Sequence, residues 1–382
     1  MANASAPSTY GEFERKGKGS SMKNLTRRGF IGVGAAAGMA AVLAGCSSGG
    51  SSSAASSASA SSASAASSAS ASASASASAA SSAAAKGSEL RFVTGGQSGT
   101  YYGFGQLLAQ HATNNAGVAI TALTSDGSKA NVESIEDGLA ELGFCQSDVM
   151  AYAYDGKNLF EGMPFESFST LASLYDEQVQ IVTCNPDIKT VADLKGKRVS
   201  IGAPNSGVYF NAIDILGAYD IKETDITPTY QSFADSADSL KNDQIDAAFI
   251  VAGAPTTAIT DLSTSKTAYL VALDKDHVAN LLKASPYYVE ATIKGGTYPG
   301  VSEDVTTVAV SAVILAANKV SADDVYAFTK DIFESAADPT VASTHAKYAE
   351  LSVEKGASVT SVPYHPGAAK YFEEKGHKVA TK

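Results

Sequence analysis

Residues 90–102, which read Leu-Arg-Phe-Val-Thr-Gly-Gly-Gln-Ser-Gly-Thr-Tyr-Tyr, constrain the fold of this chain more than any other segment. An apolar run leads into a glycine-rich turn and then into a helix start, which predicts a strand–turn–helix unit. Glycines let a backbone approach a ligand closely. The free N–H groups at a helix start favour a small anion such as a carboxylate. An ordinary tight turn explains the same residues, so both interpretations stay open.

The first 45 residues have the pattern of an export signal. Arg27 and Arg28 precede an apolar run over 31–44 that is short for a membrane span, as in twin-arginine signals. The run ends in Leu-Ala-Gly before Cys46, which resembles the lipobox of bacterial lipoproteins. We therefore predict a Tat-type lipoprotein signal peptide over 1–45 and a lipid on Cys46, with an uncleaved anchor as the alternative. Met22 offers a second candidate start, which would leave 1–21 outside the protein.

Residues 46–87 begin with the lipidated cysteine and consist almost entirely of Ser and Ala. Serine and alanine side chains are too small to build a core, so we predict a disordered tether. A lipid followed by a flexible tether implies an exported protein that is anchored to the outer face of the cytoplasmic membrane, in a periplasm or at the cell surface.

The composition excludes some partners. Residues 46–382 carry a net formal charge of −15, which argues against nucleic-acid binding. The histidines are scattered without metal-ligand spacing, so we expect neither a metal nor a cofactor. Cys145 and Cys184 each end an apolar run; we predict buried thiols, with a disulfide as the alternative.

Strand and helix patterns alternate from about residue 88 onward, which predicts an α/β fold with largely parallel sheets. Ligands in such folds bind beyond the carboxyl ends of the strands. Polar turns follow the next two predicted strands, at 124–128 and 145–148, and a second series of the same kind starts at the turn 202–207. The pattern therefore indicates two similar lobes with a cleft between them.

Seven motifs occur in order over residues 88–377. They are TGGQSGTYY at 94–102, GSKAN at 127–131, LGFCQSD at 142–148, LYDE at 174–177, DLKGKRV at 193–199, GGTYPG at 295–300 and HPGAAKYF at 365–372. Together they resemble the TAXI family, the extracytoplasmic solute-binding lipoproteins of tripartite ATP-independent periplasmic (TRAP) transporters.

The resemblance implies a two-lobed type II periplasmic-binding-protein fold with a ligand cleft, in which lobe one is 88–178 plus 304–382 and lobe two is 179–303. It implies a receptor, not an enzyme, that closes on a small organic anion or an amino acid such as glutamate and delivers it to a TRAP membrane permease. The ligand-binding residues that it implies are Thr94, Gly96, Ser98, Gly99, Thr100, Tyr101, Ser125, Ser128, Asn131, Gln146, Ser147, Tyr175, Ser206, Gly207, Val208, Gly253 and Pro255.

One departure from the family pattern bears on the ligand. Many members carry a basic residue near the lobe-two turn, where this chain has Ser206, Gly207, Val208 and Tyr209. An arginine there could bind a carboxylate through two parallel hydrogen bonds, which tyrosine cannot do. A monoanion or a zwitterion is therefore a better expected ligand than a dianion.

Two other functions stay open. A lipoprotein that senses a ligand and signals to a partner protein would have the same sequence features. Ser263 and Lys266 fit the Ser-x-x-Lys pattern of serine acylases, although the companion motifs of an acyl hydrolase are missing. His365 precedes Pro366 and is expected to cap a helix rather than to bind a ligand.

Overall fold

The computed structural model describes residues 89–382, so the predicted export signal, lipidation site and most of the tether lie outside the described residues. The described chain contains ten strands in one mixed sheet. They are β1 Leu90–Val93, β2 Ile120–Leu123, β3 Leu142–Gln146, β4 Phe168–Thr183, β5 Arg198–Ser200, β6 Thr227–Thr229, β7 Ala247–Ala252, β8 Tyr269–Val271, β9 Val289–Ile293 and β10 Val305–Ala317.

Eleven α-helices connect and cover the strands of the described chain. They are α1 Thr100–His111, α2 Ser128–Glu136, α3 Ser147–Asp155, α4 Val208–Ala218, α5 Phe233–Lys241, α6 Thr257–Ser263, α7 Lys275–Ala284, α8 Ala322–Ser335, α9 Pro339–Ala342, α10 Val353–Gly356 and α11 Pro366–Glu374.

The strand order, β2-β1-β3-β10-β4-β7-β5-β6, repeats one pattern twice. In each half three parallel strands are flanked by one antiparallel strand: β10 beside β2-β1-β3, and β4 beside β6-β5-β7. A helix follows each of the six parallel strands, as βαβ units require. This repeat confirms the predicted α/β class and the two-lobed type II arrangement.

Two long strands join the lobes. β4 pairs with β10 over Phe168–Gln178 and continues along β7 over Gln178–Val182, so one strand serves both halves of the sheet. The sequence pattern predicts two strands here, over 170–174 and 179–183. That prediction is wrong because Asp176 and Glu177 interrupt the apolar run without ending the strand.

Three apolar cores lie on the two halves of the sheet. One contains Phe92, Phe144 and Phe328 and belongs to lobe one. Lobe two has a core on each face, because successive residues of a strand point to opposite sides: Phe249 of β7 lies in one core and Ile250 in the other. β10 contributes buried side chains to both lobes: Val313 lies in the lobe-one core and Val310 in a lobe-two core.

The predicted lobe boundaries at 178 and 304 fall within or directly beside these two crossing strands. The division of the chain at those residues stays a prediction. Both thiols are free; Cys145 is buried in the core of lobe one, as predicted, whereas Cys184 is only half-buried.

The sequence pattern predicts one helix over 341–354. That prediction is also wrong, since the chain there forms α9, a 3₁₀ turn over Ala346–Glu350 and α10. His345 and Ser352 each start a new segment by accepting a hydrogen bond from a backbone N–H two or three residues ahead. Such local caps compete with a continuous helix.

The cap predicted at His365 is confirmed: its Nδ1 accepts a hydrogen bond from the N–H of Gly367.

A pair of glycines in α1 tests how closely this helix packs on the sheet. A Cβ on Gly105 would lie 2.8 Å from the Thr94 methyl group, whereas one on Gly103 would meet nothing within 4 Å. We expect Gly105→Ala to lower the free energy of unfolding by about 1–3 kcal/mol through overpacking. Gly103→Ala should raise it by about 0.5–1 kcal/mol. Urea denaturation measures both, and equal effects of the two substitutions would contradict the close packing.

Candidate ligand-binding site

A cavity of about 180 Å³ lies between the two lobes. One buried water needs roughly 10–15 Å³ on the same measure, so the cavity has room for a small metabolite. Its lining comes from both halves of the sheet, which places it in the predicted cleft.

The lining follows from the strand topology. In lobe one, residues 95–101 except Gln97 follow β1, residues 125–128 follow β2, and Gln146 is the last residue of β3. Segments after β5 and β6, and the end of β7, contribute residues from lobe two. The carboxyl ends of all six parallel strands therefore meet at one place, as is typical of open α/β sheets.

Three helices begin at this cavity with a glycine. Gly99, Gly127 and Gly207 are the N-cap residues of α1, α2 and α4, and none of these helices has a side-chain cap hydrogen bond. By contrast, Ser232, which starts α5 at the cavity rim, caps its own helix. The first N–H groups of a helix lack intrahelical partners and carry a partial positive charge. Three helix starts without a side-chain cap, from two lobes, thus converge on one small space and favour an anionic group there.

Side-chain hydroxyls add donors around the same space. Ser98, Ser125, Ser128 and Ser206 all line the cavity. Ser206 is 7% exposed, and its Oγ has no hydrogen-bond partner among the described residues. A buried hydroxyl without a partner is uncommon and costs free energy, so Ser206 is a strong candidate for a ligand contact.

A buried carboxyl faces the cavity as well. Glu177 of β4 is 2% exposed, and the Tyr101 hydroxyl donates to its Oε2 at 2.5 Å. The ring of Tyr101 stacks on Phe144 at a centroid distance of 4.6 Å, which fixes the position of the hydroxyl. Burial raises the pKa of Glu177 to about 8, although the Tyr101 hydrogen bond opposes the shift.

A second polar network bridges the lobes next to the cavity. The Gln146 amide donates to Oδ1 of Asn211 at 2.6 Å, and the Asn211 amide donates to Oδ2 of Asp148 at 3.0 Å. The Asn211 amide also reaches the hydroxyl of Tyr288, which donates to Asp214 at 3.0 Å. Burial raises the pKa of Asp148 to about 7, and the nearby Asp214 adds to this shift. This side of the interface is therefore sensitive to protonation.

Hydrogen bonds to backbone carbonyls also hold the lobes together. The N–H of Ala130 donates to the Asn205 carbonyl at 3.1 Å, and the N–H of Ala258 donates to the Ser98 carbonyl at 3.1 Å. The hydroxyl of Thr100 donates to the Gly253 carbonyl at 2.9 Å. The two lobes are thus in direct contact around the cavity.

Eleven of the residues predicted to bind the ligand line the cavity, and their binding role stays a prediction. They are Gly96, Ser98, Gly99, Thr100, Tyr101, Ser125, Ser128, Gln146, Ser206, Gly207 and Val208.

Six predicted residues do not line it. The hydroxyl of Thr94 donates to the Leu123 carbonyl, and the amide of Asn131 donates to the carbonyls of Thr94 and Phe144. These two residues shape the glycine-rich turn from behind. The other four are Ser147, which accepts a hydrogen bond from Ser311 N; Tyr175, buried against Phe104; Gly253, packed against Lys347; and Pro255, which follows a cis peptide bond.

Nine lining residues were missed by the sequence analysis, and Glu177 is the most consequential. It belongs to the LYDE motif at 174–177, from which only Tyr175 was selected. A charged residue inside an otherwise apolar strand was the available signal. The full set is Gly95, Asp126, Gly127, Glu177, Ala203, Ser232, Phe233, Val251 and Ala252.

The residues of the acyl-hydrolase alternative do not form a catalytic pair. Ser263 Oγ donates to the Ile259 carbonyl, while the Lys266 ammonium pairs with Asp243. Neither residue lines the cavity.

Within residues 89–382, no group of three or more metal-ligating side chains is placed to hold a metal ion. No helix in that same part of the chain has the length and apolarity that crossing a bilayer requires.

The model of the NMT1-like family matches residues 92–376, and the chain belongs to this family. The match spans both lobes and all of the cavity lining.

Three solved structures are similar to this chain. The alkanesulfonate-binding protein SsuA from Xanthomonas axonopodis pv. citri, bound to MOPS, has 16% identity and a TM-score of 0.45, covering 76% of this chain and 85% of that one. The periplasmic aliphatic sulphonate binding protein SsuA from Escherichia coli has 18% identity and a TM-score of 0.39, covering 76% and 91%. An ancestral arginine-binding protein bound to arginine has 13% identity and a TM-score of 0.43, covering 69% and 99%.

The raised pKa of Asp148 predicts a pH-dependent stability. Its folded-state pKa lies above its unfolded value, so the folded form holds the proton more tightly and the free energy of unfolding falls as pH rises through this range. Between pH 5 and pH 8 the free energy of unfolding should therefore fall by about 2–3 kcal/mol less in Asp148→Asn than in the wild type. Urea denaturation at both pH values measures this. Asp126→Asn, at an exposed rim carboxyl, is the control, and an equal effect of both substitutions would contradict the assignment.

The close contact between the lobes at Gly207 predicts a second effect. A Cβ on Gly207 would overlap Oε1 of Gln146, whereas one on Gly217, in the same helix α4, would meet nothing within 4 Å. We expect Gly207→Ala to displace the Gln146 amide, to break its hydrogen bond to Asn211 and to lower stability by about 1–3 kcal/mol. Gly217→Ala should leave this contact intact and should not lower stability. Urea denaturation measures both, and an equal effect of the two substitutions would contradict the close contact at Gly207.

Proposed function

We propose that this protein is an extracytoplasmic solute-binding receptor that captures a small organic anion or an amino acid, such as glutamate, between its two lobes. The observation that carries the proposal is the convergence of three uncapped helix starts, at Gly99, Gly127 and Gly207, on one interlobe cavity. Their N–H groups come from both lobes, so a bound anion would bridge the lobes and stabilise the closed form.

The role in transport rests on the resemblance to TAXI receptors and on the sequence at the N-terminus. We propose that the protein delivers its ligand to a TRAP membrane permease and that a lipid on Cys46 holds it at the outer face of the cytoplasmic membrane. Residues 47–87 would then serve as the tether between that lipid and the folded domain. Metabolic labelling with a radioactive fatty acid tests the anchor, since Cys46→Ser should abolish the label.

A ligand-sensing lipoprotein that acts on a signalling partner would use the same cavity. Deleting the gene distinguishes the two roles: loss of ligand uptake supports transport, whereas intact uptake with a lost transcriptional response supports sensing.

Isothermal titration with L-glutamate, L-alanine, L-lactate, pyruvate, 2-oxoglutarate and succinate tests the binding role itself. A receptor should bind at least one of these compounds, and the ligand should raise the melting temperature and reduce the radius of gyration. If none of the six compounds binds, the proposed ligand class is wrong.

The unpartnered hydroxyl of Ser206 provides a sharper test. Ser206→Ala removes a buried hydroxyl that has no partner, so the free energy of unfolding should stay the same or rise. The affinity for the ligand that binds should fall by about fivefold to tenfold, because a ligand hydrogen bond is worth about 1 kcal/mol. Ser232→Ala is the control: it removes the cap of α5 and should lower stability by about 1 kcal/mol. Unchanged affinity in Ser206→Ala would exclude Ser206 from the site.

A further inference from the structure

The charges that face the cavity do not match a simple anion site. Two lining residues, Asp126 and Glu177, carry carboxyls, and none of the lining residues among 89–382 carries a basic side chain. Asp126 lies at the exposed rim, but Glu177 is buried. An anion bound at the helix starts would share a small, water-poor space with the Glu177 carboxyl, and two negative charges so close repel strongly.

The groups around Glu177 do not neutralise it. Lys347 is buried nearby, but its ammonium pairs with Glu350 and lies over the ring of Tyr175 at 5.3 Å from the centroid. No hydrogen bond joins Lys347 to Glu177 among those of the described residues, and its attraction only partly offsets the burial of the carboxyl. The other titratable groups that face this region are Tyr101 from α1, Tyr175 and Asp176 from β4, Cys145 from β3, and Asp148 from α3.

We propose that the cavity binds its anion together with one proton, which resides on the Glu177 carboxyl, so that Glu177 limits the site to ligands with a single net negative charge. This inference rests on the proposed anion-binding function. Tyr101 already donates to Oε2 of Glu177, which leaves the protonated carboxyl as a donor for the ligand. A dianion would add a second charge that neither a lining base nor a second proton compensates.

The raised pKa of the Glu177 carboxyl supports this assignment, because burial keeps the proton on the carboxyl up to about pH 8 even without a ligand. A bound anion raises that pKa further, by repulsion of the ionised form. Affinity should therefore be constant at low pH and should fall as Glu177 loses its proton.

The test is isothermal titration of the purified protein with L-lactate, pyruvate, L-alanine, L-glutamate, succinate and 2-oxoglutarate between pH 6 and pH 9.5. For the tightest-binding monocarboxylate, we expect a constant Kd from pH 6 to 7 and a rise of about tenfold per pH unit above about pH 8. Titrations in buffers of different protonation enthalpy should show uptake of nearly one proton per ligand at pH 9 and almost none at pH 6.

Glu177→Gln keeps a neutral donor of the same size. Its Kd should stay within about fivefold of the wild-type value at pH 6 and should vary less than twofold up to pH 9.5, with no proton uptake. Asp137→Asn, which removes an exposed carboxyl outside the cavity lining, should keep the wild-type pH profile. Tyr101→Phe removes a hydrogen bond that lowers the pKa of Glu177, so the fall in affinity should begin at a higher pH. If Glu177→Gln does not fold, Tyr101→Phe is the variant that tests the proposal.

The outcomes separate this inference from the proposed function. If no probe binds, both fail. If a probe binds with a pH-independent Kd, or if Glu177→Gln keeps the wild-type pH profile, the site is an anion site and the proton on Glu177 is refuted. Affinity that rises with pH for L-alanine, and is lost in Glu177→Gln, would instead show an ionised Glu177 that holds a ligand ammonium group, and would also refute it.

Discussion

The pairing of β4 with β10 is the constraint on which the rest of the structure depends. Each strand is the antiparallel neighbour of three parallel strands in one lobe and continues into the other lobe. Because both strands cross, the carboxyl ends of the parallel strands of both lobes face one another. The cavity, the three uncapped helix starts and the interlobe contacts at Gly207 all follow from that arrangement.

The same crossing explains why a carboxyl is buried at the site. Glu177 lies on β4 at the point where the strand leaves lobe one, so its side chain faces the cavity and not solvent. Burial raises its pKa and the Tyr101 hydroxyl holds its position. Helix starts that attract an anion thus lie beside a carboxyl that repels one when it is ionised. A proton on Glu177 removes this repulsion.

Local chemistry was predictable where residues close in sequence act together. The glycine-rich turn after β1, the polar turn after β2 and the lobe-two turn at Ser206–Val208 were all recognised from their residues, and all line the cavity. Thr94 and Asn131 show the limit of such reasoning. Both are polar and lie beside the turns, yet their side chains bind backbone carbonyls behind the site. A sequence pattern does not distinguish a hydroxyl or amide that contacts a ligand from one that supports a turn.

The sequence by itself determined the α/β class, the doubled strand–turn–helix pattern and most of the glycine-flanked turns, because periodicity and turn chemistry act over a few residues. Only the tertiary structure decided that β4 is one continuous strand, that Glu177 faces the cavity and that Gly207 packs on Gln146. These facts depend on contacts between residues about 60 to 150 positions apart, for which no local pattern exists. Burial and charge at the site are properties of that packing, not of any segment.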